Sequence, residues 1–490
     1  MSRSALAAAL VGAAVSFSGC AILQRTPPEA IAFARAVYVV DDPPIVTLIE
    51  RDSSRVDTLY EGGFSGLFAI EDSLFAVTDR GPNVSAARLA GGGPLPRVFL
   101  APDYSPTLYR VTLSGTGSTS SDGQQLGRAE LSEPIPLRNG GGEPASGLPM
   151  PAFNASEGGV EVGWADALGA TLPPDPWGMD VEAATAGSAG KPARYGLPGE
   201  PATFWVAEEY RPALLEIERA TGKALRRYTP RLADAAFDRP LDPLLGMRTP
   251  NLGFEGLTRL DDGRLIAALQ GPLPNPDAAS TADSRLVRFV VFDPATGLSN
   301  TLAYQLDRPS HYVSDISATR GSQILVLEHD GRGRGWVYAA DLARGTLVQP
   351  AYDGRTLEQL GDERDVEASG FKPVPKRMVL DLRKSGWDPK AGKPEGLATI
   401  GARTLVLVND NDYELDDDAE DGTYALVRRP TTLYTFRLPV PLWDDEDEEA
   451  VRLPLLDGDV EEVEEEAPGD GDAAEEDADP AERPGSDGAP

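Results

Sequence analysis

Residues 251–273 read NLGFEGLTRLDDGRLIAALQGPL, and this stretch sets the architecture. Asn251-Leu252-Gly253 opens it as a turn, and Glu255 stands just ahead of Gly256. Residues 257–260 form a short strand. Asp261-Asp262-Gly263 is a hairpin turn, because Asp-Gly tolerates the positive φ such turns need. Residues 265–269 return as a second strand, closed by polar Gln270 before Gly271 and Pro272. The unit is therefore acid, strand, turn, strand, polar group, loop.

The same order of features recurs. Residues 64–70 turn through Glu71-Asp72 into 74–77 and end in Thr78-Asp79-Arg80-Gly81-Pro82-Asn83. Asp180-Val181-Glu182 leads, past a Gly/Ala-rich insert, to 204–207 and then Glu208-Glu209-Tyr210-Arg211-Pro212. Ser314-Asp315-Ile316 leads to 324–327 and Glu328-His329-Asp330. Pro394-Glu395-Gly396-Leu397 leads to 405–408 and Asn409-Asp410-Asn411-Asp412. Five degenerate copies predict a repeat architecture with some units swollen by loops. Many short strands with Gly punctuation and few helical periods mean an all-β chain, and units of four-strand size favour a β-propeller. Six blades are preferred and seven come next, with long loops and a disordered acidic C-terminal tail.

The formal net charge is −33 over 490 residues, and it is uneven. Residues 444–490 hold 21 Asp and Glu against 2 Arg. A segment of that composition buries too little apolar surface to offset its ordering entropy, so 442–490 is read as a disordered tail. No basic patch stands out in the sequence to meet the phosphates of a nucleic acid, which disfavours that class of partner. Cys20 is the single cysteine, and His311 and His329 are the two histidines. At the N-terminus, Arg3 precedes a short apolar run, and Ser18-Gly19-Cys20 resembles a bacterial lipobox. Residues 1–19 are then a lipoprotein signal peptide, Cys20 the lipidation site, and 20–36 the lipidated tether. Ala21 after the cysteine matches an outer-membrane address in a Gram-negative-type cell envelope, facing the periplasm. The propeller domain is expected over 37–441.

In a propeller each blade's innermost strand lines the central channel, so equivalent residues of successive blades form rings. One expected ring holds Glu182, Glu255, Asp315 and Glu395. A second holds Asp79, Glu208, Gln270, Glu328 and Asp410. So many carboxylates converging repel one another unless a cation neutralises them. Calcium, which takes six to eight oxygen ligands, suits that set better than zinc. Glu182, Glu255 and Glu395 are the preferred ligands, with Asp79, Asp315 and Asp410 also in the metal set. Glu208, Glu328 and His329 are the candidate bases, and Arg80 and Arg211 are placed to orient an anion. Arg285 also falls near a blade end. The 409–412 run looks like a calcium loop, but Leu415 stands where an EF-hand needs Gly. Gly63-Phe64-Ser65-Gly66-Leu67 fails the G-x-S-x-G pattern at Leu67, and a Ser-His-Asp triad is disfavoured with two histidines.

Taken together, FSGL with DRGPN, EEYRP, NLGFEGL with QGPL, SDI with LVLE, and PEGLA with NDND resemble the phytase-like family labelled "esterase-like activity of phytase". The resemblance covers about residues 62–436. It implies a propeller, export, and clustered acids that hydrolyse a phosphoester or related ester. Arg211 stands where the family's EEYGP has a small residue, and His329-Asp330 where an Arg is common after Glu328. The expectation is a lipid-anchored metal-dependent hydrolase of a small anionic ester. The alternative is a non-catalytic envelope propeller that binds a protein or glycan.

Overall fold

The computed structural model describes residues 26–49, 56–85, 96–119, 125–151, 162–166, 172–187, 201–416, 425–427 and 429–443. The signal peptide, Cys20 and the acidic run from 444 lie outside the described residues. The chain is an all-β propeller built from four-stranded antiparallel sheets. Blade I runs outward through Phe64–Ile70, Ser73–Thr78, Thr107–Thr119 and Gln125–Pro136. Blade II runs through Val181–Ala186, Thr203–Glu208, Ala213–Glu218 and Ala224–Thr229. Blade III is Phe254–Arg259, Leu265–Leu269, Leu286–Asp293 and Leu298–Gln305. Blade IV is Tyr312–Ala318, Gln323–His329, Gly335–Asp341 and Lys376–Asp381. Blade V is Lys393–Ile400, Thr404–Asp410 and Thr432–Arg437, completed on its outside by the N-terminal strand Ala34–Val40.

The described residues thus hold five blades, where the sequence reading preferred six. Each recognised repeat is one blade, and among the described residues the insertions within and after blade I carry a three-stranded sheet of Asn83–Ser85, Pro96–Phe99 and Val162–Asp166 rather than a further four-stranded blade. Ala34–Val40 also pairs in parallel with Gln125–Pro136, which joins the outer edges of blades V and I. Residues 26–33, read from sequence as tether, lie against the propeller. Thr26 Oγ1 donates to Asp381 Oδ2 at 2.6 Å, and the Ala32 N–H donates to Ser385 Oγ at 3.0 Å.

The blades stack through apolar faces, as a propeller with both faces of each sheet covered requires. Phe204 of blade II meets Phe68 and Phe75 of blade I with ring centroids 5.8 Å apart in both cases. Phe292 of blade III sits 5.7 Å from Trp205 and 4.6 Å from Tyr228 of blade II. Against the axis the inner strands touch backbone to backbone, and small residues permit it. A Cβ added to Gly66 would lie 2.7 Å from Ala183 Cα, and one added to Gly396 2.7 Å from Leu67 Cβ. The equivalent addition at Gly256 would lie 2.9 Å from the backbone nitrogen of Ile316.

Every inner strand carries a β-bulge at the same place. The register skips Ser65, Glu182, Glu255, Ser314 and Glu395 in blades I to V. A bulge leaves one residue unpaired and re-aims its side chain.

Because the axis has no room for an extra methyl at Gly66, Gly66→Ala is expected to destabilise the fold by about 1–3 kcal/mol. Urea unfolding followed by tryptophan fluorescence measures it. A midpoint equal to that of the unsubstituted protein would contradict the close axial packing.

Candidate functional site

The bulges create the site. Glu182, Glu255 and Glu395 are turned out of their ladders and line one cavity of about 260 Å³, together with bulged Ser65. The ends of the second strands supply the next tier: Asp79, Glu209, Gln270 and Asp410. Lys393, Asp412, Arg80, Arg97 and Asn251 complete the polar wall. Seven carboxylates line the cavity against three cations.

Three expected members fall outside it, for one reason. Strand side chains alternate between faces, so an alignment wrong by one residue flips the side chain. In blade IV the bulged residue is Ser314, not Asp315. Asp315 occupies the position of Gly66, Ala183, Gly256 and Gly396. Its carboxylate accepts from the Leu397 and Ile316 N–H groups at 2.7 Å each and from that of Leu67 at 3.4 Å, pinning blades I and V to blade IV. Glu208 and Glu328 pair with the residue before the bulge, as Thr78 does, whereas Asp79 and Gln270 lie one residue further on. Glu208 accordingly faces away and caps the turn that follows, accepting from Tyr210 N at 2.9 Å and Arg211 N at 3.1 Å. Its neighbour Glu209 is the blade II member of the cavity.

Glu328 is fully buried in a separate network. Its Oε1 lies 2.7 Å from His311 Nδ1, and its Oε2 accepts from Lys376 Nζ at 2.8 Å and Tyr304 OH at 2.9 Å. His329 holds the strand-end position of blade IV but does not line the cavity. Its Nδ1 accepts from the Gly331 N–H, and burial together with the charge of Lys393 pushes its pKa down to about 3. Of the two arginines, Arg80 is in the wall, held by Asp180 at 2.7 Å and Asn251 at 2.8 Å. Arg211 instead donates to the Pro151 carbonyl. Arg285 pairs with Glu363 on the outside of the propeller.

The 409–412 run divides its work by residue type. Asn409 and Asn411 are buried and hold backbone: Asn409 Oδ1 accepts from Thr432 N at 2.6 Å, and Asn411 Oδ1 from Gly63 N at 3.1 Å. Asp410 and Asp412 face the cavity. Asp412, Tyr413 and Glu414 all adopt left-handed backbone angles, with φ of 48°, 54° and 58°. Such a run is costly for non-glycine residues and is typical of functional sites. It delivers the Tyr413 hydroxyl to Asp79 Oδ1 at 2.8 Å.

Electrostatically the cavity has two halves. On one side, Asp180, Glu182 and Glu209 bring carboxylate oxygens within 4.8 Å of one another. On the other, Lys393 Nζ lies 3.0 Å from Asp410 Oδ2 and 3.2 Å from Glu395 Oε1. Burial works against the charge of Asp410, but Lys393 and the Asp412 N–H outweigh it and hold its pKa low. Burial, and then neighbouring acids, raise Asp79, Glu182 and Glu255 well above the carboxylate range. Burial also raises Glu395, despite Lys393, and pushes Asp412 up to about 7. Glu255 is tied to Gln270 through Oε1, yet its Oε2 and that of Glu395 are buried with no hydrogen-bond partner among the described residues. An all-oxygen donor set with orphaned, buried carboxylate oxygens fits a hard cation better than zinc, which favours imidazole and thiolate.

Residues 60–413 match the family model described as Phytase-like: Esterase-like activity of phytase. No curated protein matches the sequence. Among solved structures, a luciferin-regenerating enzyme is 12% identical over 78% of this chain and 94% of its own, with a TM-score of 0.30. A putative gluconolactonase is 10% identical over 85% and 97%, also at 0.30. The β-propeller domain of Cps50 (Swd1) from Myceliophteria thermophila is 10% identical over 78% and 86%, at 0.27.

The raised carboxylates fix the sign of a pH effect. Asp79, Glu182, Glu255 and Glu395 hold protons more tightly folded than unfolded, so their contribution is present at acid pH and lost as pH rises. The melting temperature of the chelator-treated protein is therefore expected to fall between about pH 5 and about pH 8. Differential scanning fluorimetry across that range checks it, and a flat or rising profile would contradict the assignment.

Proposed function

The chain belongs to the phytase-like family, and we propose that it is a hydrolase of phosphoesters or related esters that works in the acid-lined cavity with calcium. The observation that carries this reading is the convergence of buried carboxylates from different blades with oxygens left unpartnered at Glu255 and Glu395. Glu182, Glu209 and Asp180 would hold the ion, with Glu255 and Glu395 beside them. Bound calcium supplies Lewis-acid polarisation of a phosphoryl or carbonyl oxygen and lowers the pKa of water. Arg80 and Arg97 line the same cavity, and the guanidinium fork suits a phosphoryl or carboxyl group. Lys393 places a third positive charge there. Asp79, whose Oδ1 accepts from the Tyr413 hydroxyl and the Gly81 N–H, faces the space and would serve as proton acceptor once a cation there draws its raised proton affinity down. Anchoring through a lipid on Cys20 at the outer membrane, facing the periplasm, belongs to the same proposal.

Metal analysis of the purified protein, followed by a panel of phosphomonoester, phosphodiester and carboxyl-ester substrates, tests it. Turnover is expected to require calcium and to stop with chelator. Glu255→Gln keeps the shape and removes a charge, and is expected to lower kcat/KM by about 100-fold or more. If no substrate turns over while calcium only raises the melting temperature, the ion is structural and the chain is a binding propeller.

A further inference from the structure

A second cavity, of about 1510 Å³, opens between blades III and IV and shares no lining residue with the acid-lined one. Its charge is opposite. In a chain of net charge −33, seven cations line it against four acids. Three of the cations are matched locally: Arg285 with Glu363 at 3.2 Å, Lys376 with Asp307 at 2.8 Å, and Lys384 with Asp381 at 3.6 Å. Arg308, Arg332, Arg334 and Arg383 are exposed, and their guanidinium groups have no ion pair or hydrogen bond among the described residues. The fourth acid, Asp330, spends its Oδ1 on the Arg332 and Arg334 N–H groups at 2.9 and 3.1 Å, which fixes the loop that carries both arginines.

The floor of this cleft is already satisfied. Lys376 is held by Asp307, Glu328 and the Tyr304 hydroxyl. His311 is held by Glu328 and stacks on Trp336, with ring centroids 5.0 Å apart and planes 11° apart. What remains uncompensated is the rim. Four like charges around one opening repel one another, and a rigid floor keeps the opening from closing over them. Guanidinium forks match the paired oxygens of a phosphoryl group, and the charge-assisted bonds they make are the stronger kind. The volume greatly exceeds that of one phosphate ion. We propose that this cleft binds a ligand carrying two or more phosphoryl groups, gripped by Arg308, Arg332, Arg334 and Arg383. The ligand is either a soluble polyphosphorylated molecule or the phosphoryl groups of a lipid surface. The site goes beyond the hydrolase reading and does not depend on it, because binding is measured without turnover.

The test uses the full chain in calcium-free buffer, where no metal ion can bridge an anion to the acid-lined cavity. Tripolyphosphate is titrated calorimetrically. In parallel, the protein is sedimented with phosphatidylcholine vesicles that contain or lack phosphatidic acid. Saturable binding of tripolyphosphate assigns a soluble ligand. Sedimentation only with the phosphatidic acid vesicles assigns a membrane surface. In either case the Arg308→Gln/Arg334→Gln and Arg332→Gln/Arg383→Gln pairs, all at exposed positions, are each expected to weaken binding by about tenfold or more. Binding to neither probe, or binding that both double variants retain, overturns the proposal.

Discussion

Mutual repulsion of carboxylates around a narrow axis is the constraint on which the rest of this structure turns. Four of the five inner strands meet at the axis through glycine or alanine, and the fifth presents Asp315, whose carboxylate is taken up by backbone N–H groups, so the axis has no room for further side chains. The acids can face inward only because each inner strand bulges by one residue and directs Glu182, Glu255 or Glu395 toward the mouth. That geometry brings like charges together in a buried setting, where they either take up protons or meet a cation. The raised proton affinities of Asp79, Glu182 and Glu255 express the first outcome, and the orphaned oxygens of Glu255 and Glu395 leave room for the second.

The same alternation that concentrates acids inside makes the wall rigid outside. At the position one residue before the cavity tier stand Thr78, Glu208, Glu328 and Asn409. Each holds backbone or a neighbouring side chain: Thr78 the Thr107 N–H, Glu208 the turn at 210–211, Glu328 His311 and Lys376, and Asn409 the Thr432 N–H. Neighbouring polar residues on one strand therefore have opposite duties. A site so arranged tolerates its own electrostatic strain because the adjacent ring of polar groups fixes the strand ends that carry it.

Much of this was legible in the sequence. The acid–strand–turn–strand grammar named all five inner hairpins and brought Asp79, Glu182, Glu255, Glu395 and Asp410 to one place. What sequence reading missed follows from period-two geometry. With no backbone in hand, Glu208 cannot be told from Glu209, because either acid could close the second strand of blade II, nor Asp315 from Ser314, because the bulged residue of blades I and IV is a serine and not an acid. Asn251, Lys393 and Arg97, and Asp180 beside Glu182, were missed for a different reason: none of them recurs from blade to blade, so the repeat pattern does not single them out. Among the described residues five blades stand where six were preferred, because insertions between repeats look like room for another unit.

The single lysine in the acid-lined cavity shows how the symmetry of a repeat protein becomes chemical asymmetry. Five equivalent blades would give a uniform ring, in which no position is distinguished. Lys393 enters from the edge of blade V and pairs with Asp410 and Glu395, pulling the proton affinity of Asp410 down while Asp79 and Glu182 stay high. Arg80, drawn aside by Asp180 and Asn251, puts a second positive group near blades I and II. The uncompensated negative charge is thereby displaced toward Glu182, Glu209 and Glu255, and the cations lie around it. A polarised cavity of that kind can hold a positive ion at one end and the anionic group of a ligand at the other, which an unbroken ring of acids would repel.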